Sequence, residues 1–107
     1  MNTLTQHRKP IIKYGHAQLA NSAWMPRGGW YQHTDGSWRR TYAKRGRRAK
    51  TSRRAVVERE CGLWKWRVEV FELAARVTRR ICARGVNGYL FAQDAWGFAD
   101  LAARTAD

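Results

Sequence analysis

The stretch LWKWRVEVFE, residues Leu63–Glu72, alternates in side-chain character: Trp64, Trp66, Val68 and Val70 fall on one side and Lys65, Arg67 and Glu69 on the other. A period of two is the signature of a strand with one buried and one solvated face. The stretch therefore predicts a sheet. Reading outward from it asks which segments pair with this strand and what covers its apolar face.

Upstream, GWYQHTDGSWRRTY at residues 29–42 sets Asp35-Gly36 between two aromatic runs. An Asp-Gly pair supplies the positive φ angles of a two-residue hairpin turn, so strands are predicted near 30–33 and 37–42. Such a hairpin brings Trp30, Trp38 and Tyr42 to one face. Two readings compete over residues 53–60. Thr51-Ser52 can cap a short helix that stops at Gly62, or residues 55–58 can pair with the next strand through Cys61-Gly62. The helix is the expectation. Residues 1–28 hold scattered apolar positions closed by Pro26 and Gly28-Gly29, which reads as a flexible basic arm, with an edge strand at 11–14 as the alternative.

Downstream, residues 72–85 are ambiguous. A helical wheel gathers Leu73, Ala74, Val77 and Ile81 on one face, whereas Asn87-Gly88 is a strong hairpin signal that asks the preceding residues to be a strand. We take a strand over 77–86, turned by Asn87-Gly88 into a partner at 89–91. From Gln93 the Ala-rich run with Trp96, Ala99 and Ala103 in phase predicts a C-terminal helix, with Asp94 and Arg104 suited to its two ends. Gly97 inside it implies close packing against the sheet. The outcome is a single α+β domain over 29–107: about four or five short antiparallel strands with the helix on one face. Segments 29–60 and 62–106 both read as strand, strand, helix, a possible ββα pseudo-repeat.

Charge is distributed unevenly. The chain carries +13 over 107 residues, and residues 39–54 hold nine Lys or Arg with no acid, while residues 55–107 are nearly neutral. A concentrated positive segment repels itself unless a polyanion or internal carboxylates offset it, and the commonest partner of such a segment is nucleic acid. Arg outnumbers Lys sixteen to five, which suits bidentate phosphate contact. The candidate phosphate contacts are Arg39, Arg40, Lys44, Arg45, Arg47, Arg48, Lys50, Arg53 and Arg54. Arg76, Arg79 and Arg80, with Arg84, form a second basic stripe, and Trp30, Trp38 and Tyr42 are the candidates for stacking on bases.

Catalytic and metal chemistry find little support. Cys61 and Cys82 are isolated and the three His complete no zinc spacing, so no metal or other cofactor is expected. His33 and Asp35 are better explained by turn geometry than by general-base work, and Glu58 with Glu60 falls short of the convergent carboxylates that phosphodiester hydrolysis uses. No phosphate-binding glycine loop or nucleophile elbow is present. Two free thiols, with a Cys61–Cys82 disulfide as the alternative, the lack of an export signal and the lack of a long apolar run point to a cytoplasmic protein without a membrane partner or small-molecule substrate.

WKWRVEVFE at 64–72, then a basic strand, then GYLFAQDAWGFADLAAR at 88–104, resembles a strand-strand-helix module of small phage and mobile-element proteins, some anti-CRISPR proteins among them. The resemblance implies a setting and no catalytic residues. Together these readings predict a non-enzymatic protein, binding DNA or RNA, that grips backbone phosphates through its Arg-rich loop. The alternative is a phage-type inhibitor or adaptor that docks its basic face on an acidic surface of a host protein or nucleoprotein complex.

Overall fold

Leu63–Glu72 is a strand in the computed structural model, which describes residues 23–44 and 50–106. It lies within an antiparallel sheet built from β1 (Trp24–Pro26), β2 (Tyr31–Gln32), β3 (Trp38–Lys44), β4 (Thr51–Glu60), β5 (Leu63–Glu72) and β6 (Val77–Arg84), followed by one helix, α1 (Ala92–Thr105). The spatial order is β1-β3-β4-β5-β6, with β2 also pairing β3. This is the expected α+β architecture, a sheet with the C-terminal helix packed on it.

Segment 53–60 departs from the expected helix: it is the central strand of the sheet. β4 pairs with β5 over ten residues, from Thr51↔Glu72 to Glu60↔Leu63, and with β3 from Trp38↔Val57 to Tyr42↔Arg53. Ala55 and Val57 face the helix and Val56 faces the other way, yet all three are fully buried, so the apolar run Ala55-Val56-Val57 shows no alternation to reveal it as a strand. Cys61 and Gly62, at φ 52° and 82°, form a two-residue turn whose twist matches the strands it joins. Among the described residues 29–60 holds no helix, so the two halves differ in architecture.

Three other expectations need correction. The hairpin at Asp35-Gly36 has a three-residue loop, Thr34 to Gly36, closed by the His33 amide donating to Ser37 at 2.7 Å; Gly36 takes the positive φ of 91°. Asn87-Gly88 does not reverse the chain. After β6 the Gly85 amide donates to the Trp66 carbonyl at 3.0 Å, and Tyr89 then bridges Trp64, so the chain continues along β5 in the same direction. Glycine is used there for close approach: a Cβ on Gly85 would overlap the Trp66 indole, and one on Gly88 would come within 2.8 Å of Leu63. Finally, the end of the supposed arm is structured, since Trp24–Pro26 pairs with Lys44, Ala43 and Tyr42. Residues 1–22, including 11–14, lie outside the described residues.

The core sits between one sheet face and a stripe of alanines. Ala92, Ala95, Ala99 and Ala103 recur at three- and four-residue steps along α1 and meet Tyr42, Ala55, Val57 and Val68. Small residues on the helix let it approach, and aromatic rings fill the margins: Trp30 stacks on Trp96 at 5.3 Å, Trp38 meets Trp96 edge-on at 5.0 Å, and Tyr89 stacks on Phe98 at 5.4 Å. Gly97 does not share this contact. It is exposed and a Cβ there would meet nothing, so helix packing does not require glycine at this position.

Candidate nucleic-acid interface

The antiparallel order decides which predicted cations can face a ligand. Strands alternate direction, so the β3–β4 connection and the β5–β6 turn lie at the same end of the sheet, and the Leu73 amide donates to the Lys50 carbonyl at 3.1 Å to join them. Lys44 ends β3, Lys50 precedes β4, and Arg76 occupies the turn with a positive φ of 55°. All three are exposed and have no ion pair among the described residues. Arg45, Arg47 and Arg48 lie in the connecting sequence between Lys44 and Lys50 and outside the described residues.

The other predicted contacts are engaged within the fold. Arg40 donates from Nη1 to Asp100 at 3.0 Å and from Nε to the Gly28 carbonyl at 2.7 Å. Arg39 reaches Asp35 at 3.1 Å and the Ser37 hydroxyl at 3.1 Å. Arg53 is buried, places its guanidinium 4.4 Å from the Trp24 ring centre, and donates to the Ala103 carbonyl at 3.0 Å, which satisfies a helix C-terminal acceptor. Arg54 donates to Glu69 at 2.7 Å and lies over the Phe71 ring. Arg39 braces the hairpin loop, while Arg40, Arg53 and Arg54 tie strands to one another and to the helix. In the second stripe, Arg80 and Arg84 are exposed on β6, and Arg79 is the extra residue at a register shift of the same strand.

The three stacking candidates are brought together, as expected, but inward. Tyr42 is fully buried and its hydroxyl donates to Asp100 at 2.6 Å; burial foremost, with the neighbouring carboxylate, pushes its pKa far up. Trp30 and Trp38 pack on Trp96 at the core margin. Both rings are committed to Trp96.

Two carboxylates organise this neutralisation. Asp100 accepts from Arg40, Tyr42 and Arg104. Glu69, on the sheet face opposite the helix, accepts from Arg54 and from Arg67 at 2.8 Å. Burial works against the Glu69 charge, but the hydrogen bonds from Arg54 and Arg67 outweigh it and hold its pKa below the ordinary range. Asp100 lies 60 residues from Arg40, a separation no local pattern exposes. Glu69 was visible on the charged face of β5, but its partner Arg54 was hidden by the helical reading of β4.

The carboxylates weighed for catalysis are also paired. Asp35 accepts from the hydroxyl and amide of Ser37, which hold its pKa down to about 2, and His33 Nδ1 lies 3.8 Å from it. Glu58 pairs with Arg67 at 2.9 Å and Glu60 with Lys65 at 3.1 Å, along the wall of a cavity of about 220 Å³ that Trp66 and Arg84 also line. Among the described residues no three His, Cys, Asp or Glu side chains converge, and no helix is long and apolar enough to cross a membrane. Against known proteins, the chain matches no family model, no curated protein and no solved structure, so the arrangement at this end of the sheet is interpreted on its own chemistry.

Proposed function

We propose that this chain is a non-enzymatic nucleic-acid-binding protein that contacts backbone phosphates with one end of its sheet. The observation that carries the reading is the separation of its cations into two classes. Arg39, Arg40, Arg53 and Arg54 are engaged internally, whereas Lys44, Lys50 and Arg76 stand exposed side by side at the end where the sequence adds Arg45, Arg47 and Arg48. Positive side chains without internal counterions, carried on paired strand ends, suit a polyanion whose charge is spread along a backbone. Base stacking does not enter, because the candidate rings are used in the core.

Gel-shift titration across a salt series tests this. With six cations engaged on a duplex, log affinity falls against log salt with a slope of about −5. Absent binding, or binding insensitive to salt, overturns the reading. A second reading, a phage-type inhibitor or adaptor, draws on the same exposed end as a surface for an acidic host complex. Affinity purification from nuclease-treated lysate separates the two: a stoichiometric protein partner that survives nuclease favours the adaptor, and capture lost on treatment favours direct binding.

A further inference from the structure

The two edges of the sheet differ. On one side β3 is covered in part by β1 and β2; on the other, β6 ends the sheet, and among the described residues no strand pairs with its outer edge. An eight-residue edge strand presents unpaired backbone donors and acceptors, which natural sheets protect or use. Register places Val77 and Arg80 on the helix side, opposite Glu72 and Val70, and Ile81 and Arg84 on the other side, opposite Glu69 and Arg67. Val77 is 49% and Ile81 41% exposed, Arg80 and Arg84 are exposed, and neither arginine has an ion pair among the described residues. Each side of the edge therefore offers one apolar side chain beside one cation.

We infer that β6 is a docking edge for an extended acidic peptide segment of a partner protein, which adds to the sheet as an antiparallel strand. Its backbone pairs with the free edge while carboxylates meet Arg84 and Arg80 and apolar side chains cover Ile81 and Val77. Read from Arg84 back to Val77, the register calls for the order acidic, small polar, apolar, repeated twice. A second copy of this chain is a poor occupant. β6 carries Arg80 and Arg84 and no acid, so self-pairing would oppose like charges. The contact runs along the β6 edge away from the Lys44, Lys50 and Arg76 end and adjoins it only at Val77.

The probe is a fluorescein-labelled peptide repeating Glu-Thr-Val, followed by anisotropy with the full chain at physiological salt and by hydrogen exchange of the unsubstituted protein. Saturable binding is expected, with slowed exchange of β6 amides and no new protection in β1 or β2. The double substitution Arg80→Glu and Arg84→Glu weakens binding by about tenfold or more. Methylation of alternate peptide nitrogens abolishes it. The inference is overturned if β6 exchange is unchanged, if polyglutamate of equal charge binds as well, or if substitution of Lys44, Lys50 and Arg76 removes the binding instead. Concentration-dependent dimers that protect β6 without peptide overturn it too. Exchange on the unsubstituted chain decides the matter even where a variant fails to fold.

Discussion

Asp100 is a cross-link between helix and sheet that the charge pattern does not bring to notice. It accepts from the Tyr42 hydroxyl at 2.6 Å, from Arg40 at 3.0 Å and from Arg104, joining β3 to the last turns of α1. Asp100→Ala leaves the buried Tyr42 hydroxyl without its acceptor and takes a carboxylate from Arg40 and Arg104, and is expected to cost about 2–4 kcal/mol in urea unfolding. Tyr42→Phe removes one donor while keeping the ring, and costs about 1 kcal/mol. Glu69 makes the acid side of stability testable. Its folded pKa lies below its unfolded one, so the stability it contributes is complete above the ordinary carboxylate range and is lost as pH falls through the lowered folded value. Unfolding midpoints measured between neutral and acid pH are expected to fall less steeply in Glu69→Gln than in the parent.

Glycines distinguish the elements. In α1, Gly97 is exposed and unconstrained, so Gly97→Ala is expected to stabilise the protein by about 1 kcal/mol through helix propensity, read as a raised thermal midpoint. At the β4–β5 turn Gly62 has φ 82°, and Gly62→Ala is expected to destabilise by about 1 kcal/mol because a side chain strains that conformation. Gly85→Ala drives a Cβ into the Trp66 ring and is expected to destabilise more, with a change in tryptophan fluorescence. β5 was legible because its two faces differ in polarity, and α1 because its small apolar residues keep a helical phase. β4 was not. A central strand buried at its middle on both faces lacks the alternation that identifies a strand, and Thr51-Ser52 with Gly62 imitate helix ends.

For the molecule as a whole, the net charge of +13 overstates what is free to bind. Changing Lys44, Lys50 and Arg76 together to Gln is expected to reduce the salt slope of nucleic-acid binding by about 3 while leaving unfolding nearly unchanged. Changing Arg40 and Arg54 is expected to do the reverse, lowering stability with little effect on the slope, because both are already paired at 3.0 and 2.7 Å. Local pattern was enough to establish an antiparallel sheet, a C-terminal helix on it and a strongly basic segment, since alternation, helical phase and charge are properties of neighbouring residues. Which strands adjoin, and which cations are neutralised, depended on long-range pairing, as with Arg40 and its helix partner Asp100, which lie 60 residues apart. A linear charge count cannot register such pairs: an arginine is available to a ligand only when folding has not already brought it a carboxylate or a carbonyl.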